Sequence, residues 1–261
     1  MVVQRAQTMI GINITKLPMT DISVIIAVLN EEENILPLAL EVTDVFKDRS
    51  WKWECVWIDD GSTDRTADRL EHIAKADRRH RYIILERHSG QSAALRAGFL
   101  AARGPIICTL DGDSQNDPAD LPVLIELLEH NHADLIAGYR VNRQDTLLKK
   151  LSSKIGNTFR SLTTGYTVRD TGCATRVMRK SSLMTLPSFS GMHRFFPTLF
   201  VMMGHRIIEA PVHHRPRLKG RTKYGIWNRF GAGLFDCFGV LWLKRRTLTY
   251  RVARSSDIPP L

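Results

Sequence analysis

The chain is poor in cysteine, with only Cys55, Cys108, Cys173 and Cys237 among 261 residues. None forms a CxxC pair and three lie in apolar runs. This excludes a disulfide-stapled scaffold and a thiolate zinc site, and fits reduced thiols in a cytosolic setting. No unbroken apolar run approaches the ~20 residues that a membrane span needs, which excludes a multi-span transporter. No apolar stretch followed by a small-residue cleavage site opens the chain, so no secretory signal is expected. Residues 1–20 read as a loose leader, with Met19 an alternative start. Acidic residues are scarce at the other end. From position 205 onward there are 12 Lys/Arg against 3 Asp/Glu, which is nearly all of the net charge of +10. Such a segment suits an anionic membrane surface, a phosphate-rich substrate or nucleic acid, or is a solvated tail. Its aromatics cluster with apolar residues rather than alternating with basic ones, which argues against nucleic acid.

What remains is an ordinary folded composition, 43% hydrophobic and 25% charged. That excludes a disordered or collagen-like chain and suffices for a sizeable core. Continuous β-branched or apolar runs at 23–29, 54–58, 82–85, 105–110 and 133–137 read as strands buried on both faces. Amphipathic or small-residue stretches ending at Phe46, about Lys75, Ala102 and His130 read as the helices between them. Strand alternating with helix predicts an α/β, Rossmann-like, mostly parallel sheet with helices on both faces. Right-handed crossovers then put the loops after the strands along one edge. That edge receives Asn30, Glu31, Asp59, Asp60, Asp111, Asp113 and Arg140. Further on, 147–163 reads as a helix, 172–178 and 207–212 as strands, and 193–203 as an apolar helical segment interrupted by proline. No internal repeat appears. The chain divides into the leader, one domain over 21–224 and a basic amphipathic extension over 225–261.

The segment Thr109-Leu-Asp111-Gly-Asp113-Ser-Gln115 begins where an apolar strand stops. Its alternating oxygen side chains can share one side of an extended loop, a donor set suited to Mg²⁺ or Mn²⁺. Such a cation could bridge them to a diphosphate and neutralise charge on a leaving group. An Asp-x-Asp spacing alone also serves turns and caps; its place after a buried strand and the second acidic strand end at Asp59-Asp60 favour the functional reading. Asp59-Asp60-Gly61-Ser62-Thr63-Asp64 is a good helix-entry turn, yet a turn does not require two adjacent carboxylates. Carboxylates there could accept N–H and O–H donors of a base or ribose. Arg140 follows a strand, and Lys149 and Ser153 lie one turn apart on the polar face of the expected helix. With Arg217 they could form an anion cradle, although such side chains are singly more often only solvated.

Ala27-Val-Leu-Asn-Glu31, the strand end Asp-Asp-Gly-Ser and Asp-Gly-Asp-Ser-Gln together resemble family 2 glycosyltransferases of the GT-A fold. The match runs over about residues 22–225. The chain is most similar to dolichyl-phosphate mannosyltransferase and other polyprenyl-phosphate sugar synthases. Gly138-Tyr-Arg140, Lys149-Lys-Leu-Ser-Ser153, 170–176 and 217–224 support this. The resemblance implies a nucleotide-sugar site drawn from Ala27, Asn30, Glu31, Asp59, Asp60, Gly90 and Asp111. It implies a Mg or Mn site at Asp111, Asp113 and Gln115. It places an acceptor lipid phosphate on Arg140, Lys149, Ser153 and Arg217. Three departures bear on base and sugar: Ala27-Val-Leu-Asn-Glu stands where Pro-x-Tyr-Asn-Glu is common, Lys149 where arginine is common, and Arg221 where a small or acidic residue is usual.

The implied reaction is inverting transfer of a hexosyl group from a GDP- or UDP-linked sugar to a polyprenyl (dolichyl or undecaprenyl) phosphate. A phosphate monoester is largely ionised at neutral pH, so it can attack without a strong base. Asp170 is the spare carboxylate if a base is needed; a structural role in its loop is equally open. The extension, with its aromatic stretch 225–243 and Lys244-Arg245-Arg246, reads as an in-plane anchor at a membrane surface, or as a packing helix. The expected location is the cytoplasmic face of a membrane, peripherally bound, with self-association left open. Two rivals are a GT-A enzyme with a glycan or hydroxyl acceptor, and a non-catalytic sugar-nucleotide-binding module. His88, His193, His213 and His214 receive no role.

Overall fold

A computed structural model describes residues 20–141, 165, 168–216 and 226–246, with side chains of the last segment from 235 onward. Lys149, Ser153, Arg217, the expected helix 147–163, the leader before residue 20 and the segment after 246 lie outside these residues.

Among the described residues the centre is a seven-stranded sheet. Its strands are β1 (Ile22–Val28), β2 (Trp53–Asp59), β3 (His80–Ile84), β4 (Ile106–Asp111), β5 (Leu135–Arg140), β6 (Arg176–Arg179) and β7 (Ile207–Val212). The spatial order is β3-β2-β1-β4-β6-β5-β7. β1 runs parallel to β2 and β4, β2 to β3, and β5 to β7. β6 runs antiparallel to both β4 and β5. The mostly parallel α/β sheet expected from the sequence is therefore present, with one strand reversed. The expected strand at 172–178 begins later, at Arg176, because 168–175 is spent on a turn.

Both sheet faces are covered, which explains the continuous apolar runs. Ile22, Val24, Ile26 and Val28 of β1 point into a core formed with α1 (Ile35–Phe46), α2 (Thr66–Ala76) and α4 (Leu121–His130). Ile25, between them, points the other way, as the two-residue strand period requires. It meets α3 (Gln91–Ala101), α5 (Lys180–Met184), α6 (Phe196–Met202) and α7 (Ile226–Arg246). The sequence pattern anticipated α1 to α4 to within about two residues at most ends. α7 joins the second core through Cys237 and Val240. Among the described residues it is the helix of the expected amphipathic extension. No described helix is long and apolar enough to cross a membrane.

One polar group sits deep beside the first core. His80 is buried at the start of β3; its Nδ1 accepts the indole N–H of Trp57 at 3.1 Å, and its Nε2 lies 2.9 Å from Thr43 Oγ1. Accepting at Nδ1 requires a neutral ring, and burial pulls its pKa from 6.5 down to about 4. Between those values the unfolded chain carries a proton on this ring that the folded chain does not, so stability falls as pH falls through the window. The loss attributable to His80 approaches about 3 kcal/mol at the acid end. We predict that His80→Gln flattens this part of the pH dependence. Urea unfolding of both proteins at about pH 7 and about pH 4.5 measures it; equal acid losses would exclude His80 as the source.

Candidate active site

The carboxyl edge of the sheet gathers most of the candidate side chains. Beyond β1, Asn30 takes a left-handed backbone (φ 48°) and stitches two loops together. Its N–H donates to Ser62 Oγ at 2.8 Å, and its Oδ1 accepts from Thr63 N at 2.7 Å. The Glu31 N–H donates to Thr66 Oγ1 at 2.9 Å, and the Glu31 carboxylate accepts from Asn34 Nδ2 at 2.6 Å. Ala27 lies in β1 itself, in register with both Ile58 and Asp111.

The adjacent acids Asp59 and Asp60 have different surroundings. Asp59 is fully buried; its Oδ1 accepts from Ser62 N at 2.9 Å and Ser62 Oγ at 2.5 Å, while its Oδ2 is buried without a hydrogen-bond partner. Asp60 faces the neighbouring loop. Its carboxylate accepts from Ser89 N at 2.7 Å and Gly90 N at 2.9 Å, and lies 2.8 Å from His88 Nδ1. It thereby ties down the entry to α3, where Gly90 precedes the first helical residue. Gly61 makes this approach feasible. Its φ is +75°, and a Cβ there would come within 2.6 Å of the backbone of Arg87 and His88.

Beyond β4, Asp111 Oδ1 accepts from Gln91 Nε2 at 3.1 Å, and Asp111 N donates to Asn116 Oδ1 at 3.0 Å. Asp113 Oδ1 accepts from Gln115 N at 3.2 Å. Gln115 Nε2 donates to the Arg215 carbonyl at 3.3 Å, and Arg215 N donates back to the Gln115 carbonyl at 2.8 Å. Arg215 is pinned in turn by Glu41 and Asp117 at 2.7 and 2.8 Å. Between Asp113 and Gln115, Ser114 adopts φ 58° and leaves its Oγ buried without a hydrogen-bond partner. Two carboxylates, an amide oxygen and an orphaned hydroxyl are hard oxygen donors, and they fit a divalent cation of the Mg²⁺ or Mn²⁺ type. Among the described residues no group of three or more His, Cys, Asp or Glu could hold a metal ion. Oxygens of Gln115 and of a bound ligand would have to complete the shell.

A third cluster surrounds the turn before β6. Because β6 is reversed, its first residue and the turn leading into it arrive at the carboxyl edge. The Asp170 carboxylate accepts from Arg140 Nε at 2.6 Å, Arg140 Nη2 at 2.9 Å, Arg140 N at 3.3 Å and Gly172 N at 3.1 Å. Gly172 lets the turn wrap this closely, since a Cβ there would lie 3.1 Å from Arg140 Nη2. Arg176 follows, 5% exposed, with Nη2 donating to the Thr171 carbonyl at 3.2 Å and the guanidinium 5.3 Å from the Phe196 ring centroid. Burial pulls its pKa down, while Cys173, Asp111 and Asp170 pull it up; it stays charged.

The structure thus brings Asn30, Glu31, Asp59, Asp60, Gly90, Asp111, Asp113, Gln115, Arg140 and Asp170 to one edge. Sequence reasoning missed Gln91, His88 and Arg176. Gln91 and His88 are visible only once α3 is docked, and Arg176 only once β6 is known to be reversed. His193, given no role, lies 2.8 Å from Ser92 Oγ through Nδ1, and exposed His213 pairs with Asp120.

Comparisons with known proteins place this geometry. The chain is 35% identical over 229 residues to the dodecaprenyl-phosphate galacturonate synthase of Rhizobium johnstonii, covering 86% of this chain and 68% of the relative. It is 37% identical over 208 residues to the undecaprenyl-phosphate 4-deoxy-4-formamido-L-arabinose transferase of Salmonella choleraesuis, covering 79% of this chain and 63% of that protein's length. A solved glucosyl-3-phosphoglycerate synthase from Mycobacterium tuberculosis, in complex with Mg²⁺ and UDP, superposes with a TM-score of 0.63 at 20% identity. It covers 87% of this chain and 79% of that one, and shows the shared GT-A fold. The model of glycosyl transferase family 2 matches residues 23–186. With well over half its length matched and relatives above one third identical, the chain belongs to glycosyl transferase family 2.

Proposed function

We propose that the chain transfers a glycosyl group, hexosyl or closely related, from a GDP- or UDP-linked sugar to the phosphate of a polyprenyl phosphate. The names of both sequence relatives support a polyprenyl-phosphate acceptor. The observation that carries the reading is the state of Asp170. A hydroxyl acceptor requires a general base able to take its proton. Asp170, the carboxylate that such an acceptor would call on, is committed to Arg140 and Gly172. What the turn offers instead is positive charge, which suits an acceptor that arrives already ionised. We assign Asp170 a positioning role, holding Arg140 for the acceptor phosphate. Lys149, Ser153 and Arg217 complete that site in the proposal.

One acceptor phosphate oxygen forms a bond to the anomeric carbon from the face opposite the leaving group. The bond from that carbon to the nucleoside diphosphate breaks, its electron pair leaves on the diphosphate oxygen, and configuration inverts. The chain contributes position and charge rather than proton transfer. Ala27, Asn30, Glu31 and Gly90 form the wall of the nucleoside site, with buried Asp59 and Asp60 behind it holding the 59–62 turn and the 88–90 loop in place. A divalent cation of the kind named for the M. tuberculosis structures, held by Asp111, Asp113 and Gln115, would supply neutralisation of charge on the departing diphosphate.

The lipid acceptor also demands access to a membrane. In α7, Phe235, Phe238 and Trp242 are 80%, 59% and 63% exposed. At ~100° per residue they fall within an arc of about 60°, opposite the buried Cys237 and Val240. Exposed Lys244, Arg245 and Arg246 close the helix. An apolar aromatic face with a basic end fits peripheral binding to an anionic bilayer.

Three measurements test this. Incubation with Mn²⁺, a panel of GDP- and UDP-sugars and a short polyprenyl phosphate should yield the glycosyl phospholipid; release of nucleotide without that product would overturn the proposal. Asp113→Ala should lower transfer by at least about 100-fold with an unchanged unfolding midpoint; near-normal turnover would refute the metal assignment. The double variant Phe235→Ser, Trp242→Ser should lose flotation with anionic liposomes, and unchanged flotation would exclude α7 as the contact.

A further inference from the structure

The strongest unexplained group is Arg176. A guanidinium carries five N–H donors, and here a single one is used, on the Thr171 carbonyl. The side chain is 5% exposed, yet among the described residues no carboxylate reaches it within ion-pair distance. The nearest acids are engaged elsewhere, Asp170 on Arg140 and Asp111 on Gln91. Burying a charge this far is unfavourable unless a counter-ion and hydrogen bonds offset it. The aromatic face of Phe196 offsets part of that cost, and a neutral side chain of similar volume would avoid it.

The position of Arg176 says which counter-ion is missing. Its Cα pairs with Thr109 of β4, two residues before Asp111, and with Ala137 of β5, three residues before Arg140. It therefore lies between the proposed donor loop and the proposed acceptor arginine, in electrostatic range of Asp111, Asp170 and Arg140. The turn that fastens Arg140 through the Asp170 carboxylate fastens Arg176 through the next carbonyl, that of Thr171. One three-residue turn thus bonds to both guanidinium groups.

Resting on the acceptor reading above, we propose that Arg176 binds the acceptor's phosphate directly, as the inner member of a two-arginine clamp whose outer member is Arg140. Its charge offsets the repulsion that a phosphate monoester meets when it approaches a sugar diphosphate, and its planar donors orient the attacking oxygen. The clamp selects for acceptors that are anionic at the reacting atom.

The test uses the full chain with Arg176→Met, which removes the charge and keeps the bulk, and Arg176→Ala. Binding of a short prenyl phosphate, titrated calorimetrically, should weaken by roughly 10- to 100-fold in Arg176→Met. Nucleotide-sugar affinity should stay within about threefold of the parent, as should the unfolding midpoint in denaturant. Added guanidinium ion, at concentrations well below denaturing, should restore part of prenyl-phosphate binding to Arg176→Ala, which a merely structural arginine would not allow. Unchanged prenyl-phosphate binding in Arg176→Met overturns the proposal. So does a parallel fall in nucleotide-sugar affinity, which would place the guanidinium at the donor. If the parent chain binds the prenyl phosphate through Arg176 but transfers no sugar to it, the function proposal fails while the phosphate site at Arg176 stands.

Discussion

The bidentate pair between Asp170 and Arg140 is the contact on which the proposed acceptor side of this edge depends. Two guanidinium groups in electrostatic range of each other would repel, and neither can shed its charge. The Asp170 carboxylate, in the turn before β6, neutralises Arg140, and its lone pairs are filled by Arg140 and the Gly172 amide. Charge-assisted pairs of this geometry are among the strongest polar contacts in a protein. The cost is that the carboxylate is committed to this pair, which suits the ionised acceptor proposed above.

The donor side uses a similar device with the opposite emphasis. Asp59 and Asp60 sit side by side at a strand tip, where like charges would oppose each other, yet each is solvated by a different set of donors. Asp59 caps its own turn through Ser62, and Asp60 reaches across to the amides of Ser89 and Gly90. These acids are part of the frame that sets the distance between β2 and α3. Gln91, the first residue of α3, then reaches Asp111, so the placement of Asp60 is transmitted to the loop where a cation would sit. Displacing the 88–90 loop would therefore disturb the proposed diphosphate end of the site as well as the proposed nucleoside wall.

Much of this was legible from residue pattern. Apolar runs bounded by turn residues marked β1, β2 and β4, and three- to four-residue spacing marked α1, α2 and α4, because both periods follow from backbone geometry. The acidic loops could be assigned to one edge because crossover handedness leaves little choice. The reversed β6 was not legible. A four-residue strand buried on both faces reads the same in either direction, and nothing local separates Arg176–Arg179 running up the sheet from the same residues running down. The short α5 was hidden for the opposite reason: five residues carry too little period to register.

The sequence by itself determined the fold class, the family and the convergence of Asn30, Glu31, Asp60, Asp111 and Asp113, since each follows from local pattern and chain order. The tertiary structure decided the partners. That Asp170 grips Arg140, that Gln91 meets Asp111, and that Arg176 ends beside both proposed substrate sites depend on contacts between segments distant in the chain. Those contacts are set by the direction of one strand, and strand direction is chosen by packing on both faces at once rather than by any residue within it.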